Sequence, residues 1–524
     1  MKAMFLAGAA LALQAMPASA QVTRVTIDAN KPGPRIDRNI FGQFAEHLGT
    51  GIYGGVWVGP DSKIPNVRGI RSDVVTALRA IKVPNVRWPG GCFADEYHWR
   101  DGIGDPGKRR VTVNSNWGGA IEDNRFGTHE FFDFVEQIGS EAYVSINVGS
   151  GSYKEAADWV AYMTADTRNS AGQERAANGH KEPWKIKFLG IGNESWGCGG
   201  NMRPEYYADE LKRYARFTRN YNPAQQGDAN PEAMQRVAVG PSDDDTSYTE
   251  GVMKAWKGRD WSWGMEGLSL HSYTVVKWPP AYDSVDFGEK EYAELIQSTL
   301  RMDGRIRAHS AIMDKYDPEK KVPLIIDEWG VWLAKLPGST EGFLQQQNSL
   351  RDGIIAALNF NIFARHADRV RGANIAQMVN VLQAMILTDG PKMVLTPTYY
   401  VHKMYLPFQD ATLIPVTFDT GEYRQGDVVL PRVDAVAVRA TDGKLWLAAV
   451  NLDPARPAAL QLNIPGVKVR RAAGEVLSGP RVNSLNSFEA PDTIVPKPIA
   501  AKADKGGVSV DLPAKSVVML ALEQ

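Results

Sequence analysis

The sequence has little cysteine, no excess of either charge and no long apolar run beyond its first 20 residues. Of its 524 residues only Cys92 and Cys198 are cysteines, which excludes a disulfide-dense scaffold. No CxxC pair or spaced Cys/His set predicts a metal site, so we expect neither metal nor cofactor. The formal net charge is −1, from 59 Lys+Arg and 60 Asp+Glu, without a basic block. Nucleic acid is therefore not an expected partner.

The first 20 residues, MKAMFLAGAALALQAMPASA, have a composition of their own. Lys2 supplies a positive start, an apolar run follows, and Ala18-Ser-Ala20 matches a small-x-small cleavage pattern. The pattern predicts a signal peptide over 1–20 and export to the periplasm or the cell exterior. The alternative is a membrane anchor, but the apolar run is short for a bilayer. Without a later apolar run of about 18 residues, we expect a soluble product with no membrane partner.

Short apolar runs alternate with amphipathic ones between about Phe41 and Tyr405. Helical spacing is clearest after Pro204, and strands that alternate with helices favour a parallel sheet. Eight such units predict an α/β fold, a closed (β/α)₈ TIM barrel with enlarged loops. An open doubly wound sheet is the alternative, but its Gly-rich nucleotide loop is missing from the sequence. The strand candidates are Phe41–Glu46, Asn85–Trp88, Ala142–Val148, Ile186–Gly192, Arg236–Val239, Gly267–Ser272, Val322–Asp327 and Gly372–Met378.

The pattern changes after about Ala411, where long helical patterns give way to short strands with Pro and Gly between them. Asp442-Gly443 is a hairpin signal between two of these strands. This texture predicts a C-terminal antiparallel β-sandwich. The stretch Val22–Ile27 also alternates and is expected to join that sandwich. We divide the mature chain into an N-terminal strand segment at 21–37, a catalytic barrel at 38–410 and a β-sandwich at 411–524.

Two strand candidates end in a glutamate beside a tryptophan. LGIGNESWG delivers Glu194 at the end of the fourth, and VPLIIDEWG delivers Glu328 at the end of the seventh. The C-terminal strand ends of such barrels carry the chemistry, and strands four and seven lie across the mouth from each other. Two facing carboxylates are what glycoside hydrolysis needs, one as proton donor and one as nucleophile or base. Taken alone, either glutamate has a structural alternative: a hydrogen-bonded residue at a strand end without a catalytic role.

The remaining strand ends are polar as well. They supply Glu46 at the first, Arg87 and a glycine turn at the second, and His271 at the sixth, while the eighth supplies Gln377 and Asn380. Arg87 and His271 have a structural alternative, in which they pair with carboxylates and hold loops. Trp117 and Trp196 are candidates either for stacking on neighbouring sugars or for packing loops.

The segments FAEHLG, RWPGGCFADEYHW, GIGNESWG, HSYT, DEWG and AQMVNVLQA, in this order, resemble the α-L-arabinofuranosidases of glycoside hydrolase family 51. The resemblance covers nearly the whole mature chain. It implies a retaining hydrolase that removes terminal non-reducing α-L-arabinofuranosyl groups from hemicellulose or pectin oligosaccharides and polysaccharides. It also implies a homo-oligomer.

The resemblance implies residue roles as well. Glu194 would be the acid/base and Glu328 the nucleophile. The expected substrate-binding residues are Glu46, Arg87, Cys92, Asn193, His271, Tyr273 and Gln377. Cys92 would act as part of the Gly91–Cys92 turn. Gln383 is the alternative to Gln377. Two rival functions stay open: another retaining glycosidase on this scaffold, such as an endoglucanase, β-xylosidase or galactofuranosidase, and a non-catalytic carbohydrate-binding protein.

The two cysteines follow strands two and four, with strand three between them. A disulfide needs Cα atoms within about 7 Å. We therefore expect that Cys92 and Cys198 do not form a disulfide on which folding depends.

Overall fold

The computed structural model describes residues 22–524 apart from 228, 259–260, 262 and 505–506. Within these residues, eight parallel strands close into a barrel in the order of the chain, which confirms the predicted TIM barrel. The barrel strands one to eight are Gly42–Phe44, Asn85–Trp88, Glu141–Ile146, Phe188–Ile191, Gln235–Ala238, Gly267–Thr274, Leu324–Val331 and Val370–Ile375.

Helices lie between the strands and cover the barrel. Their ends carry the expected signals: Pro204 begins one helix at its first position, the Ser152 hydroxyl caps another, and Gly139 ends a third in the left-handed conformation. The α-helices are Ser72–Ala80, Thr128–Ile138, Tyr153–Thr164, Ser170–Ala177, Pro204–Phe217, Thr246–Lys257, Glu289–Tyr316, Leu350–Arg365 and Pro397–Met404.

A layer of large side chains fills the barrel. Tyr143, Phe188, Val237 and Ile325 pack together from strands three, four, five and seven, and all four are buried. Ile325 precedes Glu328 along strand seven, so this apolar layer underlies the polar strand ends. The barrel interior is therefore a packed core that supports the mouth.

Two sheets face each other in the C-terminal part and share one apolar core, which confirms the predicted β-sandwich. Neighbouring strands are antiparallel except Val22–Ile27 beside Ala458–Asn463. The first sheet has the order Thr412–Ile414, Val433–Arg439, Leu445–Asn451, Ser516–Glu523, Arg471–Leu477 and Lys497–Ala500. The second has the order Val416–Phe418, Val22–Ile27, Ala458–Asn463, Gly507–Leu512 and Lys502–Asp504.

The first described strand, Val22–Ile27, thus lies in a sheet with strands from the other end of the chain. The domain boundaries at 37/38 and 410/411 stay a prediction. Small two-stranded ribbons decorate the loops; they are Asn66–Val67 with Ile70–Arg71, Thr112–Val113 with Ile121–Glu122, Ile386–Asp389 with Lys392–Leu395, and Glu422–Gln425 with Val428–Pro431. Among the described helices, none combines the length and apolar character needed to span a bilayer.

Candidate active site

The carboxyl ends of six barrel strands meet in one small pocket. Strands one, two, four, six, seven and eight contribute to it, as the barrel architecture predicts. The lining residues are Glu46, Leu48, Gly91, Cys92, Trp117, Asn193, Glu194, Tyr273, Glu328, Trp332, Leu344, Gln377 and Leu382. Both predicted carboxylates therefore face the same small space.

Glu194 sits on a tight turn directly after the fourth strand. Gly192 has a φ of +90° and Glu194 itself a φ of +36°, a conformation that non-glycine residues seldom adopt. The Glu194 carbonyl accepts from the backbone N–H of Gly197 at 2.7 Å and of Gly199 at 3.1 Å, which holds the turn. Strained backbone of this kind concentrates at functional sites, and here it aims one carboxylate into the pocket.

The surroundings of Glu194 favour its protonated form. Burial raises the pKa of its carboxyl, and the negative charge of Glu328 raises it further, whereas the hydrogen bond from His271 acts in the opposite direction. That bond joins His271 Nδ1 to Glu194 Oε1 at 2.8 Å. A carboxyl with a raised pKa can donate a proton near neutral pH.

Glu328 is held from two sides. Arg87 Nη1 donates to Oε1 at 2.8 Å, and the Tyr273 hydroxyl donates to Oε2 at 2.7 Å. One carboxylate oxygen of Glu328, one of Glu194 and a ring nitrogen of His271 all lie within 4.8 Å of one another. The two carboxylates are therefore close enough to contact the same sugar ring.

His271 and Asp327 form a charged layer behind the two glutamates. Burial alone would lower the pKa of His271, but the charge of Glu328 and the bonds to Asp327 and Glu194 raise it to about 10. The imidazolium then donates from Nδ1 to Glu194, and its Nε2 lies 3.3 Å from Asp327 Oδ1. Asp327 also accepts from the Tyr143 hydroxyl at 2.6 Å. Sequence reasoning missed Asp327, although it directly precedes Glu328.

Arg87 and His271 are not among the residues that line the pocket, and their contact with the sugar stays a prediction. Arg87 is 1% exposed, and its Nη2 donates to Asn193 Oδ1 at 2.6 Å while Nη1 reaches Glu328. Both of its Nη groups thus donate to protein acceptors, which agrees with the structural alternative for this residue. Asn193 itself lines the pocket beside Glu194.

Glu46 occupies the first strand end in a network of donors. Oε1 accepts from Trp117 Nε1 at 2.9 Å and from the Phe93 N–H at 3.1 Å, and Oε2 accepts from Gln377 Nε2 at 3.1 Å. Burial and the charge of Glu328 raise the pKa of Glu46 to about 8. A Cβ on Gly91 would lie 2.6 Å from Glu46 Oε1, so the glycine turn permits this close approach.

The two candidate glutamines have different surroundings. Gln377 lines the pocket and also accepts from the Glu46 N–H at 3.1 Å. Gln383 is turned away, since its Oε1 accepts from the Val331 N–H and its Nε2 donates to the Asp352 carbonyl. Of the two tryptophans, Trp117 lines the pocket, whereas Trp196 donates to the Gly240 carbonyl in the loop packing.

Cys92 and Cys198 form a disulfide with a Cα–Cα distance of 5.6 Å, so the argument that strand three keeps them too far apart to bond is wrong. The loops after strands two and four meet above the third strand. A Cβ on Gly149, in the loop after strand three, would lie 2.9 Å from Asp95 Cβ and 3.2 Å from the Gly199 carbonyl oxygen. Because Gly149 has no side chain, the loops after strands two and four can approach each other over it. The claim that folding does not depend on the bond stays a prediction.

Asp95 joins these three loops and was also missed by sequence reasoning. Its carboxylate accepts from the N–H groups of Val148 and Gly149, at 2.7 and 2.8 Å, and of Asn193 at 2.8 Å. Burial raises its pKa to about 7, against the lowering effect of these bonds. Asp95 could have been found from the sequence, because it lies in FADEYHW directly after the glycine turn.

Comparisons with known proteins agree with this geometry. The sequence profile of the α-L-arabinofuranosidase 1 domain matches residues 77–255, and that of the α-L-arabinofuranosidase C-terminal domain matches residues 327–516. A relative from Bacteroides ovatus, named an intracellular exo-alpha-L-arabinofuranosidase, is 46% identical over 100% of both chains. The crystal structure of a GH51 arabinofuranosidase from Xanthomonas axonopodis pv. citri has a TM-score of 0.92 and 52% identity, covering 96% of this chain and 100% of that one.

A second solved structure is the arabinose complex of the α-L-arabinofuranosidase from Thermotoga maritima. It has a TM-score of 0.83 and 28% identity, and the match covers 96% of this chain and 100% of that one. The shared architecture thus persists at much lower sequence identity.

The expected export is contradicted by these comparisons. The Bacteroides ovatus relative, aligned with the whole chain, is named intracellular. The expectation depended on Lys2, a short apolar run and Ala18-Ser-Ala20, and residues 1–20 lie outside the described residues. Apolar and small residues are common enough that this pattern arises without a secretory role. The predicted signal peptide and secretion are therefore not supported.

The order of the motifs, the barrel with its C-terminal sandwich and the full-length relatives agree with one another. This chain belongs to the α-L-arabinofuranosidases of glycoside hydrolase family 51.

Proposed function

We propose that the protein is a retaining hydrolase that removes terminal, non-reducing α-L-arabinofuranosyl groups, with Glu194 as acid/base and Glu328 as nucleophile. The distance between the two carboxylates carries this proposal. One oxygen of Glu194 and one of Glu328 lie within 4.8 Å of each other, so the two carboxylates approach closely. Retaining enzymes separate their carboxyl groups by about 5–5.5 Å, whereas inverting enzymes need roughly 6.5–9.5 Å to admit a water molecule.

In the first step Glu194 protonates the glycosidic oxygen while Glu328 attacks the anomeric carbon. The C–O bond to the leaving group breaks as a covalent bond to Glu328 Oε forms. Arg87 and Tyr273 support this step because they orient the ionised Glu328 carboxylate. The raised pKa of Glu194 supports its role as proton donor.

In the second step water attacks the same carbon and releases arabinose. Once Glu328 is esterified its negative charge is gone, so one of the causes that raise the pKa of Glu194 disappears. The imidazolium of His271 still lies 2.8 Å away and favours the carboxylate form. Glu194 can then accept the proton of the attacking water.

Glu46, Asn193, Tyr273 and Gln377 line the pocket and are proposed to bind the furanose, together with the turn at Cys92. Trp117, Trp332, Leu344 and Leu382 close its sides, which suits one terminal sugar better than the interior of a polysaccharide. The natural substrates would be arabinose-containing hemicellulose or pectin fragments. The homo-oligomer implied by family resemblance remains a proposal, which light scattering tests.

A panel of nitrophenyl glycosides tests the substrate class. We expect rapid hydrolysis of the α-L-arabinofuranoside and at least about 10²-fold lower kcat/KM for the β-D-xyloside, β-D-galactofuranoside and β-D-cellobioside, a difference of about 2.7 kcal/mol in transition-state binding. A higher kcat/KM for any of the other three would favour another glycosidase. Failure to hydrolyse any of them would favour the carbohydrate-binding alternative.

A further inference from the structure

The disulfide lies beside the proposed acid/base, and its Cys92 half lines the pocket. We propose that reduction of the Cys92–Cys198 bond creates a binding site for a soft divalent cation such as Zn²⁺, with both thiolates and the Glu194 carboxylate as ligands. The site would make the enzyme sensitive to such cations only in its reduced state. This inference goes beyond the proposed function.

The three ligand groups are already assembled. Cys198 Sγ lies 3.6 Å and Cys92 Sγ lies 4.0 Å from Glu194 Oε2, and one ligand atom from each residue lies within 4.8 Å of the others. The other Glu194 oxygen, Oε1, is bonded to His271. Oε2 is therefore the oxygen that faces the sulfurs.

These distances suit tetrahedral zinc. With Zn–S bonds of about 2.3 Å and a Zn–O bond of about 2.1 Å, tetrahedral angles place sulfur and oxygen about 3.6 Å apart. Two sulfurs on the same ion would be about 3.8 Å apart. The sulfurs now share a bond, but once reduced they separate to non-bonded contact, which is close to that spacing. A water molecule from the pocket can complete the four ligands.

The bond is open to chemical reduction because Cys198 is exposed and Cys92 is half-buried. The thiolate of a dithiol reductant attacks Cys198 Sγ, the Cys92 thiolate leaves and takes up a proton, and the second thiol of the reductant releases Cys198 as a thiol. Two electrons pass from the dithiol, which becomes a cyclic disulfide, to the protein. Binding of Zn²⁺ then displaces the two thiol protons.

The consequence for the proposed reaction follows from the shared ligand. A cation on Oε2 holds Glu194 as a carboxylate, so it has no proton for the leaving group. In the oxidised protein neither sulfur can become a thiolate, and a thiolate is the form that binds zinc. The same cation concentration should then leave the oxidised enzyme active.

The test uses the whole protein in two states. One sample is treated with a dithiol reductant, which is then removed without oxygen, and the other is left oxidised. Since the chain has two cysteines, thiol titration of the folded, reduced sample should give two thiols per chain and of the oxidised sample none. Titration with Cd²⁺, a probe with an ultraviolet thiolate charge-transfer band, should show one ion per chain in the reduced sample alone. Zn²⁺ should inhibit the reduced sample alone.

Two variants separate the ligands. Cys198→Ser should abolish the charge-transfer band at one equivalent of Cd²⁺. In this variant Zn²⁺ should also inhibit reductant-treated and untreated samples equally. Glu194→Gln should keep the band but bind Cd²⁺ at least about tenfold more weakly, because an anionic ligand is lost. The Cd²⁺ band does not depend on turnover, so this result stands even if Glu194 is not the acid/base.

Several outcomes would overturn the proposal. The first is that the folded, reduced protein does not yield two thiols, and the second is that the reduced sample shows no charge-transfer band with Cd²⁺. The third is that Cys198→Ser binds Cd²⁺ as the wild type does. The fourth is that Zn²⁺ inhibits the oxidised and reduced states equally.

Discussion

Arg87 Nη1 donates to Glu328 Oε1 at 2.8 Å and so links the second barrel strand to the seventh across the mouth. The same guanidinium reaches Asn193 Oδ1 at 2.6 Å through Nη2. One buried cation therefore sets the position of the proposed nucleophile and of the residue next to the proposed acid/base. The site acts as a unit because the planar guanidinium holds two acceptors in one geometry.

Two substitutions of Arg87 should separate its charge from its shape. Arg87→Lys keeps the charge but cannot bond both acceptors, so kcat/KM should fall roughly 10²-fold from misplacement of Glu328. Arg87→Met leaves Asp327 and Glu328 buried with His271 as their remaining cation and should also cost about 3–5 kcal/mol of unfolding free energy. Urea unfolding and initial rates measure both effects. Equal stability losses in the two variants would contradict the separation.

Glu194→Ala should damage the reaction selectively. Arabinofuranosides with poor leaving groups should lose on the order of 10²–10⁴-fold in kcat/KM, and aryl arabinofuranosides with good leaving groups far less, because the latter need little protonation. Added azide should restore turnover by replacing water in the second step. Glu205→Ala, an exposed glutamate in the first turn of the next helix, is the matched control. Equal losses on both substrate types, without azide rescue, would refute the assignment.

The first product should retain the α configuration. One oxygen of Glu194 lies within 4.8 Å of one oxygen of Glu328, and this close approach suits attack by Glu328 itself. Proton NMR in the first moments of hydrolysis, before mutarotation, identifies the anomer. An initial β-arabinose signal would mean that Glu328 activates water, and the double-displacement mechanism would be wrong.

His271→Asn should move the basic limb of the pH profile. The bond and the charge of His271 lower the pKa of Glu194, so loss of the imidazolium should raise that pKa and keep the acid protonated to higher pH. The basic limb of kcat/KM against pH should therefore shift upward, with a lower maximum rate. His98→Asn, which changes a histidine bound to Glu155 outside the pocket, should leave the profile in place. A downward shift in His271→Asn would contradict the electrostatic argument.

Glu46→Gln should change how stability depends on pH. The pKa of Glu46 is raised from 4.5 to about 8 by burial, so its contribution is fully present below pH 4.5 and is lost as pH rises through about 8. The substituted amide cannot ionise and escapes this loss, whose upper limit is on the order of 4–5 kcal/mol at about 1.4 kcal/mol per pKa unit. The unfolding free energy of the variant minus that of the wild type should rise between these pH values. Parallel pH curves would show that Glu46 is ionised in the folded protein.

The sequence by itself determined the architecture and the two principal carboxylates. Strand and helix patterns are local, since side chains two or three to four residues apart share a face. They predicted barrel strands at Ile186–Gly192 and Val322–Asp327, and the structure has them at Phe188–Ile191 and Leu324–Val331. Barrel topology then requires the carboxyl-terminal parts of strands four and seven, with the residues that follow them, to meet at one mouth. Glu194 and Glu328 could be predicted for that reason.

Only the tertiary structure decided how the loops close over that mouth. Cys92 and Cys198 lie 106 residues apart, and their bond depends on two loop paths, on the missing side chain of Gly149 and on the buried carboxylate of Asp95. Loop paths depend on contacts between distant residues, which no local pattern records. The same holds for Gln377 and Gln383: both follow the eighth strand, and only the turn between them determines that Gln377 faces the pocket.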